Sequence, residues 1–148
     1  MKITDIKTYI LKVPLKEPFY SASMYFDYRK TLCVKVETDE GIVGWGEGGQ
    51  FGPADIPKIA IEKVLKPLLI GENPLDTERL WYMLYDYTRD YGRKGGIIEG
   101  ISALDIAFWD IKGKKLGCSV ATLLGGYIRQ QVMPYATGLY FKEGKPFE

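Results

Sequence analysis

The sequence predicts an α+β fold in which a three-stranded antiparallel β-meander precedes a bundle of helices. Apolar and polar residues alternate in much of the first fifty residues. From residue 53 onwards, apolar residues recur at spacings of three and four instead. Alternation is typical of a half-buried strand, and the longer spacing is typical of a helix with one apolar face. A turn-forming tetrad at residues 38–41 joins two of the alternating segments.

The three strands are assigned in order along the chain. Residues 3–11 alternate imperfectly and form the first predicted strand. Pro14 either ends this strand or places it at the edge of the sheet, because proline has no N–H group to donate to a second neighbour. Residues 31–37 alternate cleanly, and residues 42–45 follow after Gly41, where a positive φ is expected. The predicted inner face of the second strand carries Leu32, Val34 and Val36.

The segment 18–28 has a different character from the strands on either side of it. It holds five aromatic residues in eleven and shows neither a helical nor a strand period. We interpret it as a loop. A loop this apolar is expected to pack on its own domain or to close over something else.

The second half of the domain is predicted to be helical. Pro57 suits the first turn of a helix that Pro67 is expected to end. Asp76 is the expected N-cap of a second helix, and Gly117 the C-terminal residue of a long third one. Ser119 is expected to cap a short last helix. The expected buried stripes are Leu80, Leu84 and Tyr87 on the second helix, and Ile97, Ile101, Leu104, Phe108 and Ile111 on the third.

A glycine-rich stretch, residues 44–49, satisfies the pattern G-x-G-x-x-G of dinucleotide-binding loops. That function requires a helix immediately after the glycines and a second parallel strand, and the sequence offers neither. We therefore interpret the glycines as a mobile or tightly turned loop after a strand. Whether the loop acts as a lid or is merely a turn stays open.

The composition excludes several kinds of protein. The 148 residues include 20 Lys and Arg against 19 Asp and Glu. This balance gives no electrostatic reason to bind nucleic acid or an anionic membrane. No segment approaches the roughly 18 apolar residues of a membrane-spanning helix, and the first ten residues lack a signal-peptide pattern. We expect a cytoplasmic protein that binds neither nucleic acid nor membrane.

The sequence contains no histidine, which excludes a Ser-His-Asp triad, a His general base and an H-E-x-x-H zinc site from this chain. Its two cysteines, Cys33 and Cys118, form no C-x-x-C motif or zinc spacing. Both have apolar neighbours, so we interpret both as small core residues.

Four segments carry a resemblance to a known family: ETDEGIVGWGE (37–47), LLIGENPLDTERLW (68–81), GISALDIAFWDIKGKKLG (100–117) and LLGG (123–126). In this order and at these separations they resemble the mandelate racemase/muconate lactonizing enzyme family, a branch of the enolase superfamily. The resemblance covers residues 2–140.

The resemblance implies a two-domain enzyme whose amino-terminal capping domain covers the mouth of a modified TIM barrel. Residues 1–127 are then the capping domain. Residues 128–148 begin an incomplete barrel, with its first strand at 131–140. A TIM barrel needs about 250 residues, so the family's bases and its three Mg²⁺-binding acids are expected beyond residue 148. We therefore expect no catalytic residue and no metal ligand in this chain, and no activity from it alone.

The resemblance also implies which residues contact the substrate. Two capping-domain loops, residues 19–28 and 48–53, are expected to close over it, although some of their aromatic side chains serve equally well as anchors. Thr137 is expected near the site, at the end of the first barrel strand. The implied substrate-binding residues are Tyr20, Ser21, Ser23, Tyr25, Gln50, Phe51 and Thr137.

Several charged residues are interpreted as structural. Asp105 and Asp110 are five residues apart on a helix and so lie on different faces. For each we expect either burial with a basic partner or an exposed polar position. Glu47 is expected to anchor the loops by hydrogen bonds, and the pair Lys112 and Lys114 is interpreted as solvated charge.

The implied function is that of a Mg²⁺-dependent sugar-acid dehydratase that removes the proton α to a carboxylate. This chain would supply the specificity lid. Racemisation, epimerisation and cycloisomerisation are alternatives within the same family. A non-catalytic binding or capping module is an alternative of another class. The expected partners are a small-molecule carboxylate substrate and further copies of the chain in a homo-oligomer.

Overall fold

The structure, a computed structural model, describes residues 1–22, 24–49, 52–138 and 140–142. Its sheet consists of β1 (Ile3–Tyr20), β2 (Tyr25–Thr38) and β3 (Val43–Gly48). The three strands pair antiparallel in the order β1-β2-β3. The helices are α1 (Asp55–Ala60), a π-helical turn (Ile61–Leu65), α2 (Lys66–Leu69), α3 (Thr77–Thr88), α4 (Gly96–Leu116) and α5 (Val120–Leu123). The predicted α+β fold, a meander followed by helices, is confirmed.

The first two strands are longer than predicted, and the predicted loop at 18–28 is wrong. β1 continues past Pro14, which is tolerated because β1 is an edge strand. After a register shift, β1 pairs again with β2 at Phe19↔Phe26 and Tyr20↔Tyr25. The ring centroids lie 4.9 Å apart in the first pair and 4.6 Å apart in the second. Such cross-strand aromatic pairs stabilise a hairpin without any apolar–polar alternation in its sequence.

The inner face of the sheet forms one side of the core as predicted. Leu32, Val34 and Val36 are fully buried. Gly41 has the expected positive φ of 77° in the turn before β3. Thr38 closes this turn by donating its hydroxyl to the carbonyl oxygen of Ile42 at 2.7 Å.

The prediction that Pro67 ends the first helix is wrong. The chain passes through the π-helical turn and continues helically to Leu69. Pro67 lies in the first turn of α2. There the missing N–H group removes no bond within α2, so the proline is accommodated.

On α3 the predicted stripe is right at Leu80 and Leu84 and wrong at Tyr87, which is 60% exposed. Thr88 takes the buried position, because it lies four residues after Leu84 on the same face. Its hydroxyl donates to the Leu84 carbonyl at 2.8 Å. Asp76 directly precedes α3 as predicted, but within the described residues its side chain forms no capping hydrogen bond.

The long helix α4 matches its prediction closely. All but Ile97 of its predicted stripe is buried, and Ile97 packs partly buried against the core. Gly117 follows the helix with φ of 65°. Ser119 caps α5 by accepting the backbone N–H of Thr122 at 3.1 Å.

Three glycines of the glycine-rich stretch lie inside β3 and face α4, so their interpretation as a loop after the strand is wrong. A Cβ atom on Gly44 would lie 2.2 Å from the carbonyl oxygen of Ala107, and one on Gly46 would lie 1.9 Å from that of Ala103. On Gly48 it would lie 2.7 Å from the carbonyl oxygen of Glu99. The glycines therefore allow the backbone of α4 to lie directly on β3.

The cysteines and the carboxyl-terminal segment also differ from expectation. Cys33 and Cys118 are half-buried rather than part of the core, and Cys33 lies on the outer face of the sheet beside Glu47. Burial, and then the charge of Glu47, raise the pKa of the Cys33 thiol. Residues 131–138 are irregular and exposed, so the predicted strand is not formed there. Across residues 131–138 no neighbouring strand is present to pair with this segment, and an unpaired strand is not stable by itself. The predicted domain boundary after residue 127 stays a prediction.

Asp105 on α4 is half-buried, and no basic side chain among the described residues forms an ion pair with it. The expectation of a basic partner is therefore not met. Burial, and then the nearby charge of Glu78 on α3, raise the pKa of Asp105. Both side chains line a small cleft between the two helices.

The close contact of β3 with α4 predicts that Gly46→Ala is strongly destabilising. The added methyl group meets backbone atoms that cannot rotate away, so we expect a loss of about 3 kcal/mol in the free energy of unfolding. Urea denaturation followed by circular dichroism measures it. In Gly138→Ala the new Cβ meets no atom within 4 Å, and a change below about 0.5 kcal/mol is expected. Equal losses in the two variants would contradict the role assigned to Gly46.

The environment of Asp105 predicts that Asp105→Asn raises the urea midpoint at pH 7. An unfolded aspartate titrates near 3.8, and the native carboxyl titrates at higher pH. Between these two values the native state binds more protons, so this group lowers stability as pH rises through its native pKa. The gain in Asp105→Asn should therefore vanish as pH falls towards 3.8. Asp90→Asn, at an exposed position, should show no such pH-dependent gain.

Candidate functional site

The hairpin formed by β1 and β2 extends beyond the helices and encloses an open cleft of about 630 Å³. Leu11 and Val13 of β1, residues 24–31, and Glu47 of β3 line this hairpin cleft. Its volume falls in the range of small-molecule sites. Leu11 and Val13 pair in register with Thr31 and Arg29, so apolar and polar side chains adjoin within the cleft, a combination that suits a ligand with both hydroxyl groups and carbon surface.

The polar side of the hairpin cleft is formed by side chains of β2. Every residue from Met24 to Thr31 contributes to the lining, and Tyr25, Asp27, Arg29 and Thr31 are among its polar members. The Thr31 hydroxyl donates to Oε1 of Glu47 at 2.6 Å. This bond ties the β2 and β3 sides of the cleft together, in line with the anchoring role expected for Glu47.

Arg29 is held by aromatic rings at the end of the hairpin. Its guanidinium carbon lies 5.0 Å from the ring centroid of Phe19 and 5.4 Å from that of Phe26. Both distances are within the range of cation–π attraction. A second such contact joins the two strands nearby, where the ammonium group of Lys12 on β1 lies 3.5 Å from the ring centroid of Tyr28 on β2.

Three of the predicted substrate-binding residues lie at the hairpin tip. Tyr25 lines the cleft and is half-exposed. Tyr20 packs its ring against that of Tyr25. Ser21 closes the turn, since its N–H donates to the Met24 carbonyl at 2.8 Å. Of the three, only Tyr25 reaches the cleft.

The remaining predictions have separate outcomes. Ser23, Gln50 and Phe51 lie outside the described residues. Thr137 is exposed on the irregular segment and does not line the cleft. Sequence reasoning missed Asp27, Arg29 and Thr31. Interpreting the segment 18–28 as part of a hairpin would have placed all three on its second strand, β2.

The carboxyl-terminal segment meets the hairpin tip at residues 140–142. Tyr20 donates its N–H to the Phe141 carbonyl at 2.7 Å, and Phe141 donates to Tyr20 in return at 3.1 Å. The Tyr140 ring lies 4.6 Å from that of Phe19. Lys142 pairs with Glu17. The chain that follows the helices thus returns to the residues that hold Arg29.

The described residues do not fit a magnesium ion. Among them, no three His, Cys, Asp or Glu side chains lie together in an arrangement that could hold a metal. Asp110 instead accepts the Trp45 N–H at 2.9 Å and the Lys114 ammonium at 2.6 Å. Lys114 also donates to the Val43 carbonyl at 2.8 Å, while its side chain stays exposed, as expected for solvated charge. These bonds fasten the end of α4 to the start of β3.

Within the part of the chain that the structure describes, no helix is both long enough and apolar enough to cross a membrane.

The fold, an antiparallel meander whose glycine-bearing edge packs on a long helix, defines the class of protein. Residues 4–125 match the family model "Mandelate racemase / muconate lactonizing enzyme, N-terminal domain". The chain belongs to this family, within the enolase superfamily.

Individual relatives agree with this assignment. The chain is 46% identical to D-galactarolactone cycloisomerase from Agrobacterium fabrum, over 97% of this chain and 37% of that protein. It is 43% identical to arabinonate dehydratase from Saccharolobus solfataricus, over 79% of this chain and 31% of that protein. The chain thus spans about a third of the length of these curated relatives.

A solved structure gives the same result. The chain superposes on the 3,6-anhydro-D-galactonate cycloisomerase from Zobellia galactanivorans with a TM-score of 0.81 and 41% identity. The match covers 95% of this chain and 36% of that protein.

The contact between hairpin tip and carboxyl-terminal segment predicts that Phe141→Pro speeds hydrogen exchange of the Tyr20 amide. The proline removes the donor of one bond and distorts the other, so about tenfold faster exchange is expected. Exchange monitored by NMR measures it. Tyr135→Pro, in the irregular part of the same segment, should leave the Tyr20 amide unchanged. Equal acceleration in both variants would contradict the contact.

Proposed function

We propose that this chain is the capping portion of an enolase-superfamily enzyme that removes the proton α to the carboxylate of a sugar acid. The observation that carries the proposal is the 46% identity to a sugar-acid cycloisomerase across nearly the whole chain. The open hairpin cleft supports it, because its polar side carries several groups that bind hydroxyls.

The described residues would act on the substrate by contact and by exclusion of water. Asp27 and Glu47 accept hydrogen bonds from hydroxyl groups, whereas Tyr25 and Thr31 both donate and accept them. Leu11 and Val13 would cover the carbon side of the ligand. Closing the capping domain over the bound substrate removes water and so strengthens the electrostatic interactions inside the site.

The metal chemistry is assigned to residues other than the described ones. A divalent ion, usually Mg²⁺ in this family, would stabilise the negative charge that develops when the α proton is removed. Since the described residues do not fit such an ion, we assign it to a barrel portion of the enzyme. The base is assigned there too.

Dehydration is the proposed outcome, because the relatives include arabinonate dehydratase and D-galactonate dehydratases. Cycloisomerisation is the second candidate, favoured by the higher identity to D-galactarolactone cycloisomerase. Both begin with the same proton abstraction, so the chain would serve either. The expected homo-oligomer and the expected cytoplasmic location stay predictions.

A hybrid enzyme tests the proposal. Residues 1–127 of this chain replace the matching part of the Agrobacterium fabrum cycloisomerase, and the product is assayed on aldonic acids, aldaric acids and aldarolactones. We expect turnover of at least one acid or lactone, abolished by a metal chelator. Proton exchange at the α carbon in deuterated water would identify the shared first step.

Two controls accompany the hybrid. The relative rebuilt with its own domain through the same junction must be active, and the 148-residue chain alone should be inactive, because the metal and the base are assigned to the barrel portion. A hybrid that folds, as judged by circular dichroism, yet turns over no acid or lactone while the rebuilt relative is active would contradict the proposed function.

A further inference from the structure

Arg29 is a cation without an acidic partner in the described part of the chain. No ion pair or hydrogen bond joins its guanidinium to a described carboxylate, although Asp27 is only two residues away on the same strand. By contrast, Arg79 pairs with Glu72 and Asp76. Arg29 is also exposed, so its charge is available to a ligand.

The two phenylalanines hold this guanidinium in place before any ligand arrives. Contact with the faces of Phe19 and Phe26 reduces the rotamer freedom that a surface arginine otherwise loses on binding. A cation–π contact takes no hydrogen bond from the guanidinium, so the rings do not use its N–H groups, which match a carboxylate in a bidentate fork.

The rest of the hairpin cleft favours a hydroxylated carboxylate over other anions. Asp27 and Glu47 line the same cleft. Their negative charge would oppose a doubly charged phosphate more strongly than a singly charged carboxylate. Both accept hydrogen bonds from hydroxyl groups, as does Thr31. The cleft therefore combines two cations, Arg29 and Lys30, of which only Arg29 offers a planar fork for a carboxylate, with several hydroxyl-binding groups.

We propose that Arg29 binds a carboxylate at the end of the substrate remote from the reacting carbon, and that the substrate is therefore a sugar diacid or its monolactone. This extension rests on the proposed function, in which the metal holds the reacting carboxylate elsewhere. That Arg29 binds carboxylates does not depend on it, and the two claims are tested separately.

Titration of the 148-residue chain tests carboxylate binding directly. Glucarate and glucitol have the same six-carbon hydroxylated skeleton with two carboxylates and none, and NMR shifts of the Tyr25, Arg29 and Thr31 signals report binding. We expect shifts with glucarate and much weaker ones with glucitol. Arg29→Gln should weaken glucarate binding about tenfold, and Arg29→Lys, which keeps the charge but not the fork, by less.

Lys16→Gln is the matched control, because it removes an exposed cation from the same hairpin and should leave glucarate binding unchanged. Equal binding of glucarate by the wild type and Arg29→Gln would overturn the assignment, as would equal binding of glucitol and glucarate. An equal loss of glucarate binding in Lys16→Gln and Arg29→Gln would show that binding depends only on net charge, and it would overturn the assignment as well.

The hybrid enzyme tests the substrate class. Arg29→Gln in the hybrid should raise the KM for a diacid about tenfold more than the KM for a monoacid of the same length. An equal rise for both would overturn the diacid assignment. A hybrid without any turnover would contradict the proposed function, and the titration of the chain alone would still decide whether Arg29 binds carboxylates.

Discussion

The close approach of α4 to β3 is the constraint on which the rest of the structure depends. Gly44, Gly46 and Gly48 lie at every second strand position, and they meet the carbonyls of residues 107, 103 and 99, four apart on the helix. Two strand residues advance about 6.8 Å and four helical residues rise about 6.0 Å, so the two repeats nearly coincide along antiparallel axes. Helix and strand therefore stay in contact over three successive glycines, with Asp110 and Lys114 fastening one end through Trp45 and Val43.

The position of the cleft follows from where this contact stops. The last glycine in contact, Gly48, lies opposite Leu32 in the sheet, and α4 begins only three residues before Glu99. Beyond the pair of Leu32 and Gly48, β1 and β2 continue as a two-stranded hairpin. A two-stranded ribbon is marginally stable by itself. Here aromatic pairs, the cation–π contacts of Arg29 and the bridge from Phe141 to Tyr20 support it. The same side chains that stabilise the hairpin thus shape the cleft and hold its cation.

The alternation of Leu32, Val34 and Val36, and the apolar stripe of α4, identified their elements because each pattern has one period and one buried face. The segment 18–28 was wrongly interpreted as a loop, since a hairpin supported by aromatic pairs need not alternate. Thr88 replaced Tyr87 in the core because the exact rotation of α3 depends on its neighbours. Arg29 could not be recognised as a site residue until Phe19 and Phe26, adjacent only in the folded hairpin, were known to hold it.

The sequence by itself determined the order of strands and helices, the turn at Gly41, the cap at Ser119 and, through four ordered segments, the family. These features depend on local periodicity and on the conformational preferences of single residues. Only the tertiary structure decided that the glycines of β3 serve a helix contact and not a nucleotide. It also decided that Pro67 lies within a helical run after a π turn and that residues 24–31 line one cleft. Each of these depends on atoms distant along the chain being brought within a few ångströms, which no local pattern specifies.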